Sequence, residues 1–177
     1  MVFHEIVRMK QMGKSIRLKN FDYSSSNSYF ITISTRNKEK HFGEIRNGIM
    51  GLSAIGNTAA IYLQKIPEIR TNVLLDEFTV MPDHIHCILE LLNAKSSKEN
   101  RNKFGKPISN SISMIINRYK GAVKKWCDGN NFECFECFEW QDKFYDHIIR
   151  NSEDHWTIKN YIINNPKAWW EKYHRKS

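Results

Sequence analysis

Met81-Pro82-Asp83-His84-Ile85-His86-Cys87-Ile88-Leu89-Glu90-Leu91 is the stretch on which the reading of this chain turns. Side chains of an extended strand alternate with period two, so His84 and His86 share one face. Ile85, Cys87, Leu89 and Leu91 share the other and can enter a core. Two imidazoles side by side on a rigid strand make half of a divalent metal site. The bland alternative is a pair of ordinary polar-face histidines, and the rest of the chain has to decide between them.

Upstream, Val73 to Met81 reads as a strand and Pro82-Asp83 as a tight turn, which makes a hairpin with the histidines just past its bend. Tyr29 to Thr35 is a strand by composition. Leu52, Ile55, Ala59, Tyr62 and Ile66 recur at helical spacing and predict a helix ending before Pro67. Pro107 suits a first helical turn. Ile108, Ile112, Ile115, Tyr119, Val123 and Trp126 mark the apolar stripe of that helix, and Asn110, Ser113, Asn117, Lys120 and Lys124 its polar one. Phe135 to Trp140 alternates as a further short strand. A last helix is capped by Asn151 or Ser152 and runs to Asn165, where Pro166 disfavours continuation.

The order strand, helix, strand, strand, helix, strand predicts an α+β, ferredoxin-like antiparallel sheet with two helices on one face. The histidine face is then the other one, and the C-terminal helix is left to cover it. On that helix Ile158, Tyr161, Ile162 and Asn165 fall at i, i+3, i+4 and i+7 and share a face. An amide oxygen there can complete a site with two imidazoles, with the phenol beside the same ion. Such a mixed N/O set suits magnesium or manganese better than a thiolate set would.

The chain has 177 residues and a net charge of +8, from 27 basic and 19 acidic side chains, which makes a polyanion the first partner to consider. With 41% hydrophobic residues it is expected to be globular, one domain over residues 25–170 between a basic arm (1–24) and a basic tail (171–177). No apolar run reaches membrane-spanning length and no signal-peptide core is present, so no membrane partner and a cytoplasmic location are expected. Four cysteines fit a reducing compartment. Cys134 and Cys137 have C-x-x-C spacing, with Cys127 and His147 nearby, but a single such pair is a weak zinc signal, and reduced structural cysteines are the better reading.

Three motifs in order make the pattern specific: Met81-Pro82-Asp83-His84-Ile85-His86, the run Trp140 to Arg150, and Tyr161-Ile162-Ile163-Asn164-Asn165-Pro166. Together they resemble the HUH single-tyrosine transposases, and within them the REP-associated tyrosine transposases. The resemblance implies that His84, His86 and Asn165 hold a divalent cation, magnesium or manganese, and that Tyr161 attacks single-stranded or hairpin DNA. It implies a single-strand endonuclease and strand transferase working through a 5′-phosphotyrosine, as a monomer or homodimer. Tyr145 is the rival nucleophile, but no oxygen ligand follows it one helical turn later. Lys120, Lys124, Tyr145, His147 and Arg150 are candidate DNA contacts. The alternative from another class is a hairpin DNA or RNA binder that cuts nothing.

Overall fold

The computed structural model describes residues 25–92, 111–130 and 138–174. The basic arm, the polar loop from Asn93 with Pro107, the Cys134–Cys137 pair, and Arg175 and Lys176 of the tail lie outside the described residues.

Four strands form one antiparallel sheet: β1 (Ser28–Ser34), β4 (Val73–Met81), β5 (His84–Leu91) and β6 (Tyr145–Ile149), in the order β4-β5-β1-β6. A separate hairpin, β2 (Gly43–Arg46) and β3 (Ile49–Leu52), follows a 3-10 turn at Arg36–Lys38. Helices α1 (Ala54–Gln64), the short α2 (Ile66–Ile69) and α3 (Ile112–Gly129) lie on one side of the sheet, and α4 (Ser152–His174) on the other. This is the expected α+β, ferredoxin-like layering.

The strand period explains the two layers. Ile31, Ile33, Ile85, Cys87, Leu89 and Leu91 pack with Ile55, Ala59 and Leu63 of α1 and Ile112, Ile115, Ile116, Tyr119 and Val123 of α3. The Tyr119 hydroxyl donates to the Ala59 carbonyl at 2.9 Å and so joins the two helices. On the opposite face Phe30, Ile88 and Ile149 meet Ile158 and Ile162 of α4. Each such buried side chain contributes roughly 1.5–3 kcal/mol, which is what seats α4 over the histidines.

Three expectations are corrected. Leu52 belongs to β3 and is exposed, because Ser53 caps α1 by accepting from Gly56 N at 3.1 Å. The β2–β3 hairpin before it turns at Asn47-Gly48, both at positive φ (52° and 77°), the sequence signal for a two-residue hairpin. The fourth strand of the sheet is Tyr145–Ile149; of the strand expected at Phe135–Trp140, only residues 138–140 are among those described. Phe138 and Trp140 do point inward, at 0% and 6% exposure, but they plug the end of the helix-side core, and Trp140 makes only one bridge, to Thr35.

Helix α4 also runs on through Pro166 to His174. A proline inside a helix costs roughly 3 kcal/mol, since it donates no hydrogen bond and crowds the preceding turn. Tertiary contacts offset this: a Cβ built on Gly48 would lie 3.5 Å from the Lys167 Cα, and the Lys40 ammonium sits 5.4 Å from the Trp169 ring. The helix beyond Pro166 is thus braced by the β2–β3 hairpin and the loop before it. α3 begins at Ile112 behind the Ser111 cap, whose hydroxyl accepts from Met114 N.

Candidate functional site

β5 is one of the two central strands of the sheet, paired to β4 on one side and β1 on the other. The register sets Thr32 against His86 and Ser34 against His84. Opposed residues in an antiparallel pair project to the same face. Thr32 and Ser34 therefore stand beside the histidines on the α4 side, joined by Tyr145, which pairs with Thr32 across β6.

His84 and His86 are almost wholly buried as residues, at 7% and 1% exposure. Their Nε2 atoms are 3.0 Å apart. Each ring is held at its other nitrogen: His84 Nδ1 by the Asp83 carboxylate, and His86 Nδ1 by the Thr32 hydroxyl at 2.8 Å. A carboxylate only accepts, so His84 Nδ1 carries the proton and its Nε2 offers a lone pair in the neutral ring. Carboxylate partners behind a ring commonly fix metal-binding histidines in this tautomer, whereas the Thr32 hydroxyl can serve His86 as donor or acceptor. Two ligand atoms at right angles around an ion ~2.1 Å away lie ~3 Å apart, so the pair fits a small divalent cation.

The floor of the site is Phe30, fully buried, with its ring stacked on His86 at 5.3 Å and edge-on to Tyr145 and Tyr161 at 6.2 and 6.1 Å. Tyr161 reaches over it, its hydroxyl 3.3 Å from His86 Nε2 and its ring 5.2 Å from the imidazole. The side chain of Asn165, one turn on and buried, hydrogen-bonds the Tyr161 hydroxyl. Burial pushes the phenol above its usual range, and the Asn165 hydrogen bond pulls partly back by favouring the phenolate.

Among the described residues no group of three or more His, Cys, Asp or Glu converges as a metal site. A cation here would hold two imidazoles and an oxygen from an amide or phenol, so the donor set is two histidines and a neutral group. Cys127 is buried in the helix-side core, and His147 hydrogen-bonds Asp154 at 3.1 Å rather than turning toward it.

Tyr145 lies on the site's rim, and His147, paired with Phe30, lies further along the same face. Arg150 is exposed just past β6. Lys120 and Lys124 are placed elsewhere. They belong to α3, the layer across the sheet from Tyr161. The Lys120 ammonium donates to the carbonyls of Gln141 and Asp142 at 2.7 and 3.1 Å. The Lys124 ammonium donates to the Phe138 carbonyl at 3.0 Å and pairs with Asp128 at 2.9 Å. Both hold the 138–142 segment in place.

Reading the sequence did not single out Asp83 or Thr32 as partners of the rings. Asp83 was within reach, being adjacent to His84 in the chain. Thr32 was not, because only the strand register brings it opposite His86. Asp76 was also missed. A bulge between Leu75 and Phe78 inserts an extra residue in β4, and Asp76 there binds His155 at 3.0 Å and Lys159 at 2.6 Å, tying α4 to the sheet edge.

No family model matches the sequence. An uncharacterised protein of Haemophilus influenzae is 38% identical over 163 residues, which cover 88% of this chain and 89% of that protein. The structure of a REP-associated tyrosine transposase bound to a REP hairpin superimposes with a TM-score of 0.58. The match spans 86% of this chain and 74% of that one, at 21% identity. No helix among the described residues is long and apolar enough to cross a membrane. The chain belongs to one family with the Haemophilus influenzae protein, and its fold is that of the REP-associated tyrosine transposase.

Proposed function

For a member of that family with this fold, we propose a metal-dependent single-strand DNA endonuclease and strand transferase, a transposase with an HUH motif at His84 and His86. The observation that carries the reading is the Tyr161 hydroxyl, 3.3 Å from His86 Nε2 beside a pair of ring nitrogens 3.0 Å apart. A purely structural tyrosine needs no pair of converging imidazole nitrogens beside it. The structural neighbour bound to a REP hairpin supports single-stranded or hairpin DNA as the partner.

The residues divide the work. His84 and His86, with an oxygen from Asn165, would hold a magnesium or manganese ion. When bound, such an ion draws off charge developing on the phosphoryl oxygens. Tyr161 supplies the nucleophile: its oxygen attacks the phosphorus, the P–O3′ bond breaks, and the 3′-hydroxyl leaves with a proton. The DNA stays on the tyrosine as a 5′-phosphotyrosine, which a second 3′-hydroxyl can resolve by the reverse displacement. Asn165 stabilises the phenolate against the burial that opposes it. Phe30 and the α4 apolar stripe keep the phenol in place and keep water out. Tyr145, His147 and Arg150 border this face and are the proposed DNA contacts, whereas Lys120 and Lys124 act through the 138–142 segment they hold.

The test is covalent trapping. Tyr161→Phe should form no adduct on a denaturing gel with cleavable single-stranded DNA and manganese, while Tyr145→Phe should still form it. An adduct that survives Tyr161→Phe and disappears in Tyr145→Phe would reassign the nucleophile.

A further inference from the structure

An open cleft of about 350 Å³ lies at the end of β1, lined by Thr35, Arg36, Asn37, Lys38, Gln141 and Asp142. Its two walls are clamped by backbone bonds, from Arg36 N to the Glu139 carbonyl at 2.8 Å and from Gln141 N to the Ser34 carbonyl at 2.8 Å. Lys120 fixes the far wall from behind through the Gln141 and Asp142 carbonyls. The near wall is tied to the histidine turn, because the Thr35 backbone N donates to the Asp83 carbonyl at 3.0 Å, and its hydroxyl is shared between the Glu39 carbonyl at 2.7 Å and that of Asp83 at 3.0 Å.

Asn37 and Lys38 both sit at positive φ, 55° and 60°. Two successive non-glycine residues in that region are uncommon and cost free energy, and such strain concentrates at functional sites. The turn it makes brings the Lys38 ammonium to the Ser34 hydroxyl at 2.7 Å, and Ser34 is the residue paired with His84. A cation thus stands between the cleft and the histidine pair. The charge of Asp83 is felt there as well.

We propose that this cleft is a base-reading subsite that takes one unstacked nucleotide of the strand beside the phosphate attacked by Tyr161, with Lys38 against the backbone between them. This rests on the tyrosine reading above for the position of that phosphate. The chemistry of the lining favours hydrogen-bond readout. The amides of Asn37 and Gln141 each donate and accept, the Asp142 carboxylate accepts, and Arg36 donates. Unstacked bases are read on such edges. Among the described residues no aromatic lines the cleft, which favours readout of base edges over stacking that would tolerate any base. A base preference is therefore expected here, where phosphate contacts alone would give none.

The full chain carrying Tyr161→Phe, which cannot cleave, provides the test. Short single-stranded DNA of random sequence carrying 5-iododeoxyuridine is photocrosslinked, and the linked peptides are mapped. Crosslinks should fall at residues 36–38 and 139–142. Selection from an unmodified random pool should show one preferred base. Asn37→Gly keeps the turn, since glycine adopts positive φ freely, yet removes the amide. It and Gln141→Ala should each weaken that preference by about tenfold. Crosslinks confined to other peptides, or a preference that survives both substitutions, would overturn the subsite. Adduct formation is scored separately on the chain with Tyr161 intact, so the subsite can fail while the nucleophile stands, and the reverse.

Discussion

Removing the carboxylate behind His84 should cost metal affinity more than it costs the fold. His84 Nδ1 donates to Asp83, whose side chain is 22% exposed and whose partner ring is 9% exposed. With Asp83→Ala that proton loses its carboxylate acceptor, which makes it easier for the ring to rotate or to place its proton on Nε2, the atom facing His86. Loss of such a partner typically lowers metal affinity by about 10- to 100-fold, or roughly 1.4–2.7 kcal/mol. Asp83→Asn keeps an accepting oxygen without the charge and should lose less, about tenfold at most. The backbone carbonyl of Asp83, which accepts from Thr35, is untouched by either change. The assay is calorimetric titration with manganese, followed by cleavage at limiting and saturating manganese. Cleavage should recover at saturation, because Tyr161, the proposed nucleophile, and its partner Asn165 are unaltered. If Asp83→Ala binds manganese as tightly as the unsubstituted chain, the tautomer argument fails. A defect that saturating metal does not relieve would place Asp83 in the chemistry rather than behind the ligand.

Asp76→Ala removes the partly exposed contacts to His155 and Lys159 and should lower the thermal midpoint only slightly, with the loss shrinking at high salt. Burial raises the Cys87 thiol from its usual 9.0 to about 12. The unfolded chain releases that proton first, so stability should be intact below pH ~9 and fall between pH ~9 and ~12, more gently in Cys87→Ala, as urea titrations across that range would show. Gly56→Ala should destabilise by roughly 1–3 kcal/mol, because the new Cβ would stand 2.1 Å from the Phe42 carbonyl oxygen and backbone would have to move. A urea midpoint unchanged from that of the parent would contradict it.

Much of the site was legible in the chain because its periods are local. Period two put His84 and His86 on one face, and period 3.6 aligned Ile158, Tyr161, Ile162 and Asn165. Both hold in the structure, since each depends only on residues within one element and on an apolar partner surface. Excess apolar residues on the other face of β5 likewise indicated where α1 and α3 would pack. The Asn47-Gly48 turn is also written in the sequence, ahead of a helix that starts at Ala54 rather than at Leu52.

Pairings between distant segments were not legible. Thr32 opposite His86, Trp140 as a core plug instead of a strand residue, and Lys120 propping the Gln141–Asp142 wall all depend on which chains become neighbours, and local pattern carries no information about that. The same holds for Pro166. Its local cost argues for a helix end, and only the packing of Lys167 and Trp169 against the β2–β3 region outweighs it. Sequence alone therefore determined which side chains could act together, because the geometry of a single strand or helix sets that. The tertiary structure decided what holds them in place, because the partners come from elements far apart in the chain.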